Sequence, residues 1–275
     1  MSSAPPPRIL SVAGSDSSGG AGIQADLKTI AMLGGYGMSA ITAVTAQNSL
    51  GVQSVETLDA DFVMAQVDAC LGDIGADAVK IGMLGSPAIA RALAERLDTF
   101  PGPIIFDPVM VATSGAALAD EATIAGFAAL MDIATVVTPN LPELAALTGR
   151  DGLSDEDVVE AGLDLATRHD VMVLAKGGHA ETGDHVLDRV LSPSGKIASF
   201  GHARLETRHT HGTGCTLSAA LATMLAHRLP LTDAVRMARA FTFAAIESAP
   251  GFGSGNGPLG HQAVRRLAEP ERGTD

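Results

Sequence analysis

Apolar segments rich in β-branched residues alternate with alanine-rich segments of helical period along most of this chain. The β-branched segments lie at residues 8–13, 39–46, 77–83, 103–109, 135–138 and 171–176, and the helical ones at 23–33, 61–74, 87–97, 121–131 and 155–168. Strands that alternate with crossover helices form a parallel sheet with helices on its faces. This rhythm predicts an α/β fold with a mostly parallel central sheet.

The last third of the chain has a different pattern. Two short segments, 185–191 and 196–205, are interrupted by polar residues, which favours an antiparallel pair at the edge of the sheet. Two long alanine-rich segments, 213–227 and 232–249, then predict helices. A glycine-rich stretch at 251–257 is predicted to end the ordered pattern.

No linker or internal repeat divides the 275 residues. We therefore predict one domain over residues 8–262, flanked by mobile tails at 1–7 and 263–275. Ligands of doubly wound sheets bind outside the carboxyl ends of the strands. Functional residues are expected to gather at that end of the sheet.

Charge and cysteine usage restrict the partners and the compartment. The chain has 18 Lys and Arg against 31 Asp and Glu, a net charge of -13, which repels the phosphate backbone of nucleic acids. Cys70 and Cys215 are too few and too far apart for a disulfide framework. No apolar run approaches the roughly 18 residues of a membrane helix. We expect a cytoplasmic protein without nucleic-acid or membrane partners.

A glycine-rich motif at residues 14–22, GSDSSGGAG, follows the first strand and opens a helix. Its glycines allow a ligand to approach the backbone closely. It is not a Walker A loop, which requires Lys and then Ser or Thr where Gly20 and Ala21 stand. Asp16 also occupies the place of the second glycine of a dinucleotide fingerprint. Either a ligand-binding loop or a flexible turn that caps the helix fits this motif.

A second motif, Gly212-Thr213-Gly214-Cys215, stands at the start of a predicted helix. Backbone N–H groups and the helix dipole make such a turn an anion site, suited to a transferred phosphoryl group. The alternative is an ordinary helix cap by Thr213. A thiol in the first helical turn often has a lowered pKa, so Cys215 is a candidate base, a polar contact or a small packed residue.

Polar residues also stand at the ends of three predicted strands. Asp107 and Lys176 each end an apolar strand, where a carboxylate can hold a metal ion or its water and an ammonium can meet phosphate. Asn140 and Glu143 lie three residues apart, a spacing that suits either a magnesium hydration shell or a capping box. Strand-end charges facing solvent are the alternative for the first two.

These motifs, in this order, resemble the hydroxymethylpyrimidine and phosphomethylpyrimidine kinases of thiamine biosynthesis, within the ribokinase-like superfamily. The resemblance runs from residue 9 to residue 261 and includes the segments 14–29, 46–48, 80–84, 107–110, 138–143, 176–179 and 211–216. It implies a ribokinase-like three-layer α/β/α sandwich with an antiparallel edge. It also implies ATP-dependent phosphorylation of 4-amino-5-hydroxymethyl-2-methylpyrimidine and then of its monophosphate.

The resemblance assigns the acceptor site to four residues. Gln47 stands where the family holds the pyrimidine with a glutamine amide, which can pair with a ring nitrogen and the exocyclic amine. Ala21, Val44 and Met83 match the residues that line the ring pocket, although Val and Met at strand ends are usually core residues.

The resemblance also assigns the phosphoryl-transfer site. Gly212 to Cys215 match the anion hole, with cysteine where sugar kinases carry an aspartate base, and Lys176 matches a phosphate contact. Because phosphoryl transfer passes through a loose transition state, Cys215 is expected to assist rather than dominate.

The expected ligands follow from the same family. Asn140 and Glu143 are expected to order the water of Mg²⁺, with Asp107 supporting that network. ATP is the expected co-substrate, no side chain identifies the adenine site, and a homodimer is the expected assembly.

Three other functions fit parts of the sequence. A pyridoxal kinase of the same cysteine-containing branch has a substrate that also bears a hydroxymethyl group. A hydrolase with a Cys–His pair is suggested by His211 and Cys215, but the glycine turn between them breaks the helical spacing. A sensor that kept the fold without activity is disfavoured, because every motif position for magnesium and phosphate is filled.

Overall fold

One central sheet organises the structure, a computed structural model that describes residues 5–112, 115–150, 152–154, 157–179 and 185–264. Its strands within these ranges are β1 (Arg8–Asp16), β2 (Tyr36–Asn48), β3 (Gly51–Thr57), β4 (Ala78–Ile81), β5 (Ile104–Phe106), β6 (Val136–Val137), β7 (Met172–Ala175), β8 (His185–Ser192) and β9 (Gly195–Ala203). Their order across the sheet is β3-β2-β1-β4-β5-β6-β7-β8-β9. The strands from β2 to β7 in this order are parallel, and those at both edges are antiparallel.

Helices cover both faces of the sheet. In the described ranges they are α1 (Gly22–Met32), α2 (Ala60–Ala69), α3 (Pro87–Leu97), α4 (Glu121–Ile133), α5 (Leu141–Thr148), α6 (Asp157–His169), α7 (Thr213–Ala226) and α8 (Leu231–Glu247). A π-helical turn, Cys70–Ile74, continues α2.

Two hydrophobic clusters separate the layers. One packs α2 to α6 on one face, and the other packs α1, α7 and α8 on the opposite face. Neighbouring residues of β1 divide between them, since Leu10 belongs to the first cluster and Ile9 to the second. The side-chain period of two in a strand explains this division. The predicted three-layer α/β/α sandwich is confirmed.

The predicted elements are found with small shifts at their ends. The helix predicted over residues 87–97 has the same bounds as α3. The strand predicted over 103–109 ends at Phe106, because Pro108 has no N–H group for the ladder. The helix predicted over 155–168 is seen from Asp157, and residues 155 and 156 lie outside the described residues.

One strand was absent from the sequence-based prediction. β3 pairs antiparallel with β2, so the sheet has an antiparallel strand at each edge rather than at one. Most of β3 is exposed. A strand with no buried face shows no apolar alternation, and for that reason the pattern did not reveal it.

The prediction that order ends at the glycine-rich stretch is wrong. Pro258 is bridged to His211, and a 3₁₀ turn, His261–Ala263, follows. Leu259 and Val264 are buried in the cluster beneath α7 and α8. The predicted tail residues 1–4 and 265–275 lie outside the described residues. Among the helices described, none is long and apolar enough to cross a membrane.

Candidate active site

A cavity of about 910 Å³, called the central cavity below, lies at the carboxyl ends of the parallel strands. Gln47 and Met83 line it near β2 and β4, and Asp107 and Lys176 line it after β5 and β7. All of the site residues predicted from the sequence contribute to its wall except Val44. The topology thus brings together residues that are up to about two hundred positions apart, as expected of a doubly wound sheet.

Asp16 organises the glycine-rich turn that follows β1. Its carboxylate accepts hydrogen bonds from the backbone N–H groups of Ser18 at 2.8 Å, Gly20 at 3.1 Å and Ala21 at 2.9 Å. Gly22 has a φ of +55°, and a Cβ there would lie 2.2 Å from the carbonyl oxygen of Gly14. The turn is therefore held closed by Asp16, and these N–H groups are not offered to a phosphate.

Of the residues predicted to line a ring pocket, the structure brings Gln47, Ala21 and Met83 to the central cavity. It does not bring Val44 there: this side chain is 45% exposed and Thr45 lines the cavity instead. The reason is the alternation of side chains along β2, which turns adjacent residues to opposite faces. Val44, predicted to line the ring pocket, thus lies outside the wall of the central cavity, and Thr45 lies in it.

The second glycine motif forms the start of α7. Gly212 is the N-cap with a φ of +89°, so the alternative cap by Thr213 is not formed. A Cβ on Gly212 would lie 1.9 Å from the carbonyl oxygen of Gly20, which requires glycine. The N–H groups of Gly214 and Cys215 belong to the first turn of the helix, where no intrahelical acceptor exists. They are available to an anion in the central cavity.

Lys176 and Asp107 form an ion pair beside this turn. Lys176 Nζ lies 2.7 Å from Asp107 Oδ1, which also accepts a hydrogen bond from Thr138 Oγ1 at 2.9 Å. A Cβ built on Gly214 would lie 3.4 Å from both Asp107 Oδ2 and Lys176 Nζ. Burial opposes ionisation of Asp107, but Lys176 and Lys80 lower its pKa below the usual value. The carboxylate and the ammonium both face the anion site as charged groups.

Asn140 and Glu143 form the capping box at the start of α5. Asn140 Oδ1 accepts from the Glu143 N–H at 2.9 Å, and Glu143 Oε2 accepts from the Asn140 N–H at 2.8 Å. The same carboxylate lies 3.8 Å from Lys176 Nζ. Burial raises the pKa of Glu143 to about 7, although Lys176 favours the charged form. The capping alternative is thus present, and both side chains still line the central cavity.

The environment of Cys215 differs from the sequence-based expectation. A thiol in the first turn of a helix often has a lowered pKa, which made Cys215 a candidate base, but burial raises the pKa of Cys215 to about 11. Lys80 acts in the opposite direction and is outweighed. Desolvation of the thiolate is the largest cause, and the carboxylates of Asp26 and Asp107 raise the pKa further. Cys215 is therefore a neutral thiol near pH 7.

A buried ion pair lies in the layer beneath the site and had no role in the sequence analysis. Lys80 Nζ is 2.8 Å from Asp26 Oδ2, and both side chains are fully buried. Ser11 Oγ donates to the same oxygen at 2.6 Å. A Cβ on Gly82 would lie 2.7 Å from Lys80 Nζ, so glycine leaves room for the ammonium. A lysine inside an apolar strand, AVKI, was the available signal.

His211 is paired with Asp16. Its Nε2 lies 2.8 Å from Asp16 Oδ2, and the side chain is buried. Its ring nitrogen contacts Asp16 and Gln47, and among the described residues no hydrogen bond joins His211 to Cys215, which argues against the Cys–His hydrolase.

Glu143→Gln is expected to raise the free energy of unfolding of the metal-free protein by about 2 kcal/mol near pH 8 and to change it little near pH 4. The pKa of Glu143 is about 7 in the folded protein, above its ordinary value of 4.5. The protonated carboxyl therefore stabilises the folded state fully only below pH 4.5, and this stabilisation is lost as the pH rises through 7. Glutamine removes that loss and keeps the capping box. Denaturant unfolding at the two pH values measures the effect. The exposed Glu121, in the first turn of α4, supplies the control Glu121→Gln; an equal change at both pH values would contradict the prediction.

Comparison with known proteins relates the chain to a family of kinases. The family model described as phosphomethylpyrimidine kinase matches residues 16–260. The chain is 47% identical over 256 residues to the hydroxymethylpyrimidine/phosphomethylpyrimidine kinase of Rhizobium meliloti, covering 92% of this chain and 96% of that protein. It is 44% identical to the thiamine biosynthesis multifunctional protein ThiED of Corynebacterium efficiens, covering 94% of this chain but 36% of that longer protein.

A solved structure has the same fold. The pyridoxal kinase from Staphylococcus aureus in complex with pyridoxal superposes with a TM-score of 0.87 and 32% identity, covering 98% of this chain and 97% of that chain. Other structures of the same enzyme are complexes with ADP and with AMP-PCP.

Proposed function

The chain belongs to the phosphomethylpyrimidine kinase family, and we propose that it transfers a phosphoryl group from ATP to 4-amino-5-hydroxymethyl-2-methylpyrimidine and then to the monophosphate so formed, in thiamine biosynthesis. One observation carries the proposal most directly. The acceptor residue Gln47 and the transfer residues Lys176 and Cys215 line the same central cavity. A hydroxymethyl group on a ring held by Gln47 then lies in the space that the anion turn faces.

The acceptor end of the cavity suits a flat polar ring. Gln47 offers both a donor and an acceptor, whereas Met83 and Ala21 offer apolar contact. Thr45 adds a hydroxyl group, which lies 3.1 Å from the Gln47 amide. We assign these four residues to the pyrimidine, with Thr45 in the place expected of Val44.

The transfer step requires alignment and charge stabilisation more than acid–base chemistry. The hydroxymethyl oxygen forms a bond to the γ-phosphorus, the bond from that phosphorus to the β–γ bridging oxygen breaks, and ADP leaves. The N–H groups of Gly214 and Cys215 and the ammonium of Lys176 stabilise the charge on the transferred group, in the turn set by Gly212 and Thr213. The hydroxyl proton moves late, to an oxygen of that group.

Cys215 acts in this scheme as a thiol rather than as a base. A group with a pKa of about 11 holds its proton near pH 7 and cannot accept another. Its sulfur can accept a weak hydrogen bond from the hydroxymethyl group and align it. This role agrees with an assisting rather than a dominant contribution.

A magnesium site fits the residues around Asp107, Asn140 and Glu143. Their oxygens are the hard donors that Mg²⁺ takes, and a nearby cation favours the charged form of Glu143. In the described part of the chain no three His, Cys, Asp or Glu side chains are arranged to hold a metal ion directly. We therefore propose that these residues hold Mg²⁺ through its water shell, and the ion when bound offsets charge on the phosphates.

The nucleotide is proposed to occupy the far end of the central cavity, which the sequence left unassigned. Val186, Phe243 and Ile246 give this end an apolar wall. Arg239 beside it is held by Asp188 at 2.7 Å and by the carbonyl oxygen of Phe200 at 2.9 Å. The flat base of the nucleotide fits between these apolar side chains, with the phosphates of the nucleotide directed towards Lys176.

We further propose a single kinase domain over residues 8–262 that works as a cytoplasmic homodimer. Cys70 and Cys215 are too few and too far apart in the sequence for a disulfide framework, which suits a reducing compartment. Strand β3 leaves an open sheet edge near the exposed Leu50 and Val55, which favours pairing with a second copy. Light scattering of the purified protein tests the dimer.

A single incubation tests the proposed activity. The protein is mixed with ATP, Mg²⁺ and the hydroxymethylpyrimidine, and the products are identified by mass. We expect the monophosphate to appear first and the diphosphate to follow. Binding of the pyrimidine without an ATP-dependent product would overturn the proposal. The likeness to the S. aureus enzyme favours pyridoxal kinase as the second candidate, and faster turnover of pyridoxal would select it.

Gln47→Ala is expected to raise KM for the pyrimidine roughly a hundredfold and to leave KM for ATP within about twofold. The polar edge of the ring would lose its partner, whereas the nucleotide end of the cavity would be unchanged. Steady-state kinetics with each substrate varied in turn measures both constants. Equal losses for the two substrates would contradict the assignment of Gln47.

A further inference from the structure

Three side chains from distant parts of the sequence meet at the acceptor end of the central cavity. His211 Nε2 lies 2.8 Å from Asp16 Oδ2 and 3.3 Å from the terminal atom of the Gln47 amide that is assigned as Nε2. Asp16 and His211 are both buried. Both contacts use the same ring nitrogen of His211. Whether this nitrogen carries a hydrogen therefore determines which atom of the Gln47 amide can face it.

The proton on this nitrogen is directed at Asp16. The Asp16 carboxylate already accepts three backbone N–H groups and the hydroxyl of Ser18. Burial acts to raise its pKa, but the hydrogen bonds from His211 and Ser18 outweigh burial and lower it. An ionised carboxylate 2.8 Å from a ring nitrogen requires that nitrogen to carry hydrogen. His211 Nε2 is therefore a donor.

This donor determines the orientation of the Gln47 amide. A protonated Nε2 has no lone pair left for an amide N–H, so the amide oxygen must be the atom that faces His211. The contact on the other side of the Gln47 amide supports the same orientation. Thr45 Oγ1 lies 3.1 Å from the carbonyl oxygen of Ser15 and 3.1 Å from the second terminal atom of the amide. Its single hydrogen satisfies Ser15, and its lone pair then accepts the amide N–H.

We propose that His211, held by Asp16, is a positioning residue that fixes the Gln47 amide with its oxygen towards His211 and thereby selects the 4-amino form of the pyrimidine. The inference rests on the proposed function for the identity of the acceptor. The free lone pair of the amide oxygen then accepts from the exocyclic amine, and the free N–H donates to the adjacent ring nitrogen.

The fixed amide also orients the hydroxymethyl group. In the substrate the carbon that bears this group is next to the carbon that bears the amine. An amine on the His211 side of Gln47 therefore turns the hydroxymethyl group towards Gly212, the residue that follows His211 and opens the anion turn. With the Gln47 amide reversed, the ring would bind in the flipped orientation, and its hydroxymethyl group would point away from Gly212.

A substrate analogue provides the test. The 4-oxo analogue of the hydroxymethylpyrimidine presents a carbonyl and a ring N–H, so its donor and acceptor are reversed relative to the 4-amino substrate. We compare kcat/KM for the two compounds in the wild type, in His211→Leu, which has no donor, and in His211→Gln, whose amide nitrogen can replace Nε2. KM for ATP and the midpoint of thermal unfolding are measured for each protein.

The expected outcome is a wild-type preference for the 4-amino compound of roughly a hundredfold or more. We expect this preference to fall about tenfold or more in His211→Leu, because a freed amide can turn to suit the 4-oxo ring, and to return to within about threefold of the wild-type value in His211→Gln. KM for ATP should stay constant. If His211→Leu is unfolded, His211→Asn replaces it, because its shorter amide does not reach Asp16.

Two results would overturn the inference. One is a wild type that does not prefer the 4-amino compound. The other is a folded His211→Leu or His211→Asn that keeps the full preference. A wild type that phosphorylates neither compound would instead remove the proposed function, and the inference would fall with it.

Discussion

Lys176→Met is expected to lower kcat about a thousandfold while KM for the pyrimidine stays within about twofold. The ammonium is held 2.7 Å from Asp107 and beside the Gly214 turn, where in the proposed reaction it would meet the charge that grows during transfer. Methionine keeps most of the volume and the apolar stem but not the charge. An interaction made mainly in the transition state affects kcat more than substrate binding.

Matched variants separate this effect from a general one. Lys196→Met removes an exposed lysine on β9 and should leave kcat unchanged. Lys176→Arg keeps the charge with a different shape and should recover part of the rate. Pre-steady-state kinetics and thermal unfolding are measured for each. A kcat for Lys176→Met within about tenfold of the wild type would exclude Lys176 from the transfer step.

Lys80→Met is expected to lower the free energy of unfolding by about 3–5 kcal/mol. Asp26 would then be buried without its cation, and one of its oxygens, Oδ1, already has no hydrogen-bond partner within the described residues. The remaining hydrogen bond from Ser11 is too little to offset the desolvation of a carboxylate. Chemical denaturation near pH 7 measures the loss.

The double variant Lys80→Met/Asp26→Asn tests the cause of that loss. Removing both charges should recover at least about half of the lost stability, since the penalty comes from an uncompensated charge. The exposed pair of Arg96 and Asp68 is the control, where Arg96→Met should cost less than about 1 kcal/mol. A double variant as unstable as Lys80→Met would show that packing, not charge, explains the effect.

The parts of the fold that bury an apolar face could be predicted from the sequence. Strands such as β5 and β7 are apolar throughout, and α3 combines an apolar face with Ser86 as its N-cap. Their period and caps are local properties of the chain. The residues at the ends of these strands, Asp107 and Lys176, were predicted for the same reason.

Other features depend on contacts that no local pattern contains. Val44 and Thr45 differ by one position in β2, and the face that each presents depends on the register with β1. The role of Asp16 becomes visible only when the turn closes on it and His211 approaches. The raised pKa of Cys215 likewise results from burial by distant elements, which outweighs the opposing effect of Lys80.

The residues that line the central cavity belong to parts of the chain that are synthesised at different times. The contact between His211 and Asp16 spans 195 positions of the chain, and His211 is bridged in turn to Pro258. Contacts of such separation form late, because closing a long loop costs entropy before the contact repays it. On the ribosome, the parallel strands can therefore be complete while the contact between His211 and Asp16 does not yet exist. In an unfinished chain His211 does not yet hold the glycine-rich turn, and the wall of the central cavity becomes complete only with the last third of the protein.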